Sequence, residues 1–114
     1  FPSVQENCNT RTGFTPAKMT WYFNQCFRPG DDRRDASPLF GELSADMPAT
    51  LVLTTQFCPF RDEGRDYVRR LAEKGVRAET YNYGNMVHSY LNFEKICYDE
   101  ICDTYRRMAD FLQD

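Results

Sequence analysis

The stretch Thr50-Leu51-Val52-Leu53-Thr54-Thr55, running through Gln56 and Phe57 into Cys58-Pro59-Phe60-Arg61-Asp62-Glu63-Gly64, decides the fold. Its first six residues are short, β-branched and mostly apolar, the composition of a strand covered on both faces. Pro59, the acidic pair Asp62 and Glu63, and the apolar residues Tyr67, Val68 and Leu71 then specify a helix. Lys74-Gly75 closes it as a basic last turn followed by a glycine cap. Val76 to Tyr83 alternates in part and reads as a second strand, so the segment is a right-handed β-α-β unit with a parallel pair.

Downstream, residues 84–91 read as a loop carrying His88, and Ile101, Tyr105, Met108 and Phe111 mark one face of a closing helix. Upstream, Phe1 to Thr15 shows no apolar period and reads as loop. Thr15-Pro16 is a cap followed by proline at the first helical position, and Pro29-Gly30 ends the helix that follows. Trp21, Tyr22 and Phe23 on that helix are expected to pack against a core rather than to line a pocket. Asp31 to Met47 is a connecting excursion. The division is therefore a lid-like and connecting segment over 1–47 and a β-α-β-α part over 48–114. Two parallel strands leave two open edges, so the sheet is incomplete alone and is expected to self-associate or to dock on missing strands.

Composition narrows the function. The chain of 114 residues is 41% hydrophobic and 15% aromatic, ordinary values for a globular protein. Its net charge of −3 comes from 14 basic and 17 acidic residues interspersed along the chain, which excludes a basic face for nucleic acid. No apolar run approaches the roughly 20 residues of a membrane-spanning helix, and no charged-then-apolar leader is visible. The five cysteines, Cys8, Cys26, Cys58, Cys97 and Cys102, form no C-x-x-C pair, and the lone histidine completes no zinc pattern. No metal or organic cofactor is implied. An odd cysteine count without a disulfide rhythm suits a reducing compartment, so a cytoplasmic location is expected. Spacing alone supports no bridge between Cys97 and Cys102.

Chemistry concentrates at Cys58, at Asp62 and Glu63, and at His88. All lie at the C-terminal ends of the two strands, where open α/β sheets present their ligands and catalytic groups. Asp62 and Glu63 also suit a structural role, because acids in a first helical turn complement its dipole.

The blocks Pro48-Ala49-Thr50-Leu51-Val52, Phe57-Cys58-Pro59-Phe60-Arg61-Asp62-Glu63-Gly64, Gly75-Val76 and Met86-Val87-His88-Ser89-Tyr90-Leu91 carry a resemblance. In order and spacing they resemble the C-terminal third of the hormone-sensitive-lipase family of α/β-hydrolases, which includes bacterial esterases and lipases. The upstream segment is similar too. Phe1-Pro2 resembles the tail of the strand before the lid, Thr15 to Tyr22 a lid-side helix, and Ser37-Pro38-Leu39 the turn that follows it.

The resemblance implies an α/β fold with a lid-like helix followed by strand-helix-strand-loop-helix. It also implies hydrolysis of a small carboxylic ester, of short or medium acyl chain, by the full-length protein. In such enzymes a serine attacks, a histidine takes its proton and a carboxylate orients the imidazole. His88 falls at the base position, and Cys58 falls where the family carries its acid. Asp62 and Glu63 become supporting residues, since one helical turn, about 5 Å, separates them from the strand end. Ser89-Tyr90 stands where the family commonly has Gly-Phe. No G-x-S-x-G elbow and no H-G-G-G-type oxyanion loop occurs in these residues, so the chain alone is expected to be inactive.

Two other readings compete. A protein that has lost its acid can keep the hydrolase pocket for binding alone. Phe57-Cys58-Pro59-Phe60 before a helix also resembles a thioredoxin-like thiol site, although Arg61 stands where the dithiol form has its second cysteine.

Overall fold

The computed structural model describes residues 1–113. Its regular elements are α1 (Pro2–Asn7), α2 (Pro16–Cys26), β1 (Thr50–Phe57), α3 (Arg61–Glu73), β2 (Ala78–Val87) and α4 (Tyr98–Gln113). Short 3-10 turns occupy Arg33–Ala36, Pro38–Phe40 and Tyr90–Asn92. β1 and β2 pair in parallel, from Thr50 opposite Ala78 to Thr55 opposite Tyr83. The strand-helix-strand order read from residues 50–83 is the order observed.

Alternation along β1 divides the apolar residues between two faces. Val52 and Thr54 lie under α3, where Gly64 is required. A Cβ there would come 3.0 Å from Val52 Cγ1 and 3.1 Å from Thr54 Cγ2, so a larger residue would push the helix off the strand. Further along α3, fully buried Leu71 packs with Leu43 and Val76. Gly75, at φ +81°, makes the left-handed turn that ends the helix and redirects the chain into β2. Leu53 belongs to the second cluster, in which Tyr83, Tyr90, Cys97 and Ile101 join β2 to the start of α4.

The structure departs from the sequence reading in four places. Residues 2–7 are helical rather than loop. The face that α1 buries is polar, made by Ser3 and Asn7, so it left no apolar period to find. β2 runs to Val87 instead of giving way to a loop at Gly84. The register slips after Thr55, because Phe57 pairs with Val87 and β2 carries two more residues than β1 over this interval. Asn85 takes a left-handed φ of 58° in the irregularity, and its N–H is accepted by Gln56 Oε1 at 2.8 Å.

The third departure concerns α2. Thr15 caps the helix as expected, its hydroxyl accepting from the Lys18 N–H, but α2 buries no residue, and Trp21 remains 57% exposed. The expected core packing of its aromatics is therefore not formed within this chain. The fourth concerns α4, whose inward face is Ile101 and Thr104 while Tyr105 is exposed. Residues 104 and 105 are both near neighbours of 101 on a helix. Thr104 turns inward because its hydroxyl meets Tyr90 Oη and donates to Glu100 O at 2.7 Å.

Tyr83 fastens β2 to α4 by donating its hydroxyl to Asp103 Oδ2 at 2.9 Å, and burial, with Asp103 beside it, pushes its pKa up to about 12. The folded state thus holds this proton more tightly than the unfolded chain, whose tyrosine titrates near 10. The associated stability is complete below pH 10 and declines as pH rises through about 12. Unfolding followed by circular dichroism should show this alkaline loss in the native protein, and Tyr83→Phe should flatten that part of the profile.

Candidate active site

Cys58 follows β1 directly, at a turn in which its N–H donates to Thr55 O at 3.2 Å and its carbonyl accepts from Arg61 N at 3.2 Å. His88 follows β2. The parallel register and the two-residue irregularity bring these strand ends together, and Cys58 Sγ lies 3.2 Å from His88 Nδ1. Two positions 30 residues apart in sequence thus become a thiol-imidazole pair. Ser89, next to the imidazole, adopts φ 65° in the left-handed region, which a glycine would occupy without steric cost.

The turn is held from outside by polar contacts to α1. Ser3 Oγ donates to Pro59 O at 2.7 Å, and Asn7 Nδ2 donates to the carbonyls of Gln56 and Cys58 at 3.3 Å each. Arg61 adds a three-way tie, donating to Glu6, to Gln56 O and to Asp62, each at 2.9 Å. These groups satisfy the exposed carbonyls of an irregular segment and so fix the place of Cys58.

Asp62 takes part in this frame. It accepts from Arg61 Nε and from the Ser3 N–H at 2.9 Å, and the Arg61 guanidinium holds its carboxyl below the usual carboxylate range. Glu63 lines the same cavity as Cys58 and His88. Among the described residues no hydrogen bond joins Asp62 or Glu63 to His88. The site therefore combines Cys58 and His88, with Glu63 at its wall and Asp62 in the supporting frame.

Electrostatically the pair is neutral. Burial pushes the Cys58 thiol up, against the opposing pull of the Phe60 N–H and the Thr55 hydroxyl, and the Glu63 charge pushes it further. Burial also lowers His88 below the ordinary imidazole value of 6.5. Two rings enclose the imidazole edge-on, Phe14 at 4.8 Å and Phe60 at 5.8 Å between centroids. The cavity beside them has a volume of about 480 Å³.

Sequence reasoning missed Ser3, Asn7, Phe14 and Thr55. For the first three the chain offers no local signal, because each contact crosses tens of residues. Thr55 was within reach, since it stands one turn from Cys58.

A parallel strand pair with its crossing helix thus brings a thiol and an imidazole together at adjacent strand ends. The family model for the alpha/beta hydrolase fold matches residues 1–92, and the chain belongs to this family, in its hormone-sensitive-lipase-type esterase and lipase branch. Carboxylesterase NlhH of Mycobacterium tuberculosis is 31% identical over 101 residues, covering 81% of this chain and 30% of the relative. An arylesterase of Saccharolobus solfataricus is 36% identical over 55 residues, covering 48% of this chain and 18% of its own. An esterase of Pyrobaculum calidifontis superposes with a TM-score of 0.84 at 30% identity, over 96% of this chain and 36% of that structure. The chain thus spans about a third or less of the proteins it matches. This membership displaces the thioredoxin-like reading of Cys58.

Cys58→Asp replaces a neutral thiol by an anion at the same imidazole nitrogen and should move the His88 pKa from below 6.5 to above it, because a nearby negative charge favours the imidazolium. His88 is the only histidine, so its ring signals in an NMR titration read this directly.

Proposed function

We propose that this chain is the C-terminal part of a carboxylic ester hydrolase acting on small esters of short or medium acyl chain. The Sγ to Nδ1 contact of 3.2 Å supports this reading, since it joins the two positions at which the family's acid and base act. His88 is the general base of the full-length protein, Cys58 stands at the acid position, and Asp62 and Glu63 support the loop and the helix entrance. Residues 48–114 contribute to the hydrolase sheet, and 1–47 form the lid-like and connecting segment. The exposed aromatics of α2 suit a lid surface. A cytoplasmic location fits the cysteine pattern.

The same contact defines the difficulty. In the serine-histidine-carboxylate arrangement the acid accepts from Nδ1–H, leaving Nε2 free to take the nucleophile's proton. A neutral thiol is instead a donor. If it donates to Nδ1, the ring proton moves to Nε2, where the base must act. The imidazolium formed during attack also lacks a counter-charge. That observation favours a second reading, a ligand-binding protein on a hydrolase scaffold.

Hydrolysis of a short-chain p-nitrophenyl ester by a full-length protein carrying this chain separates the two. Under the esterase reading the Cys58→Asp variant should gain activity by up to about 10⁴-fold, the scale of losing the acid in a serine protease. The 114-residue chain alone should be inactive. Absence of activity in both folded full-length forms would overturn the esterase reading in favour of binding.

Among the described residues β1 and β2 each have one partner in the sheet, which leaves an unpaired edge on either side. Such edges pair readily with other strands. The isolated chain should therefore self-associate in light scattering unless it is docked to the rest of a hydrolase sheet, and a stable monodisperse monomer would refute this.

A further inference from the structure

Two polar groups meet Cys58 Sγ, and a third shares its cavity. The Phe60 N–H donates to it at 3.4 Å, and His88 Nδ1 lies at 3.2 Å. The third is the Thr55 hydroxyl. Thr55 is 5% exposed, and its Oγ1 is enclosed by the chain's own atoms. The hydroxyl has no partner in hydrogen-bonding geometry among the described residues, although it lies close enough to ease ionisation of the thiol. Thr55 lines the same cavity as Cys58 and His88, and a backbone turn from Cys58 N to Thr55 O joins the two residues.

A buried hydroxyl without an acceptor is costly, and a thiol sulfur is a weak acceptor. A hydroxyl, an amide N–H and an imidazole that can carry its proton on Nδ1, grouped at this thiol, form instead the donor set of a compact oxyanion. We propose that Cys58 is a site of peroxide oxidation, and that its sulfinate is the anion this cradle fits.

The chemistry balances with hydrogen peroxide as oxidant. The Cys58 thiolate attacks one peroxide oxygen; an S–O bond forms, the O–O bond breaks, and the departing hydroxide takes a proton to become water. Sulfur loses two electrons in reaching the sulfenic acid. A second peroxide repeats the step and gives the sulfinic acid, which ionises at neutral pH, so two peroxides are reduced and two waters are released. The sulfinate oxygens accept from Thr55, Phe60 N–H and His88 Nδ1–H, and the acceptor-only anion returns the ring proton to Nδ1. Oxidation is slow at neutral pH, because burial and the Glu63 charge hold the thiol proton on against Arg61, and it quickens as pH rises. The sulfinate also supplies the counter-charge that the imidazolium lacks beside a neutral thiol; this consequence for ester hydrolysis rests on the esterase reading above, and the oxidation itself does not.

The test exposes the protein to hydrogen peroxide, maps oxygen gain on each cysteine by peptide mass spectrometry and titrates His88 by NMR. Exposed Cys26 reports that the oxidant has acted. The expected result is two oxygens on Cys58 together with a His88 pKa that rises across 6.5. Thr55→Val, which keeps the shape and removes the hydroxyl, should reduce both effects at least several-fold, and Thr55→Ser should retain them. Oxidation of Cys26 without Cys58, a sulfinate that leaves the His88 pKa unmoved, or Thr55→Val behaving as wild type would each overturn the proposal. A failed ester assay with Cys58→Asp would remove the catalytic consequence and leave these readouts standing, so the two failures are distinguishable.

Discussion

The parallel pairing of β1 with β2 is the constraint on which the site depends. Parallel strands end at the same side of their sheet, so the residues that leave them emerge as neighbours however far apart they lie in sequence. Residue-for-residue continuation of the register beyond Thr55 would not put Phe57 opposite Val87. The two additional residues of β2, secured by the left-handed Asn85 and the Gln56 amide, carry the chain to the point where His88 meets Cys58. Gly64 contributes by letting α3 lie directly on Val52 and Thr54.

The site joins a rigid frame to an unusual electrostatic content. Ser3, Asn7 and Arg61 tie the segment after β1 by hydrogen bonds, and Phe14 and Phe60 box the imidazole. Within that frame stand a buried thiol held protonated and a histidine held neutral. A carboxylate in the same place would be an acceptor for every donor that surrounds it. With a thiol, one donor is left without a good partner and the imidazole tautomer is free to shift. The departure at Cys58 is thus a change in hydrogen-bond polarity as much as in charge.

The legible parts of the chain were those governed by local rules. Residues 50–75 announced strand, helix and cap through β-branched content, an acidic first turn and a terminal glycine. The Thr15-Pro16 helix start was equally local. Three of the departures, at α1, β2 and α4, share a cause: what decided each element was a polar contact remote in sequence. α1 is stabilised through Ser3 and Asn7 reaching Pro59, Gln56 and Cys58. α4 turned on Thr104 because Tyr90 was there to meet it, and β2 persisted past Gly84 because Gln56 supplied an acceptor.

The sequence by itself determined the β-α-β order, the family, and the positions from which Cys58 and His88 emerge, because hydrophobic period, turn chemistry and motif spacing are written locally. Only the tertiary structure decided that sulfur and imidazole touch, that Asp62 serves the Arg61 frame rather than the histidine, and that the Thr55 hydroxyl is buried without an acceptor among the described residues. Those facts depend on register, burial and the direction of individual side chains, which arise when distant segments are packed against one another.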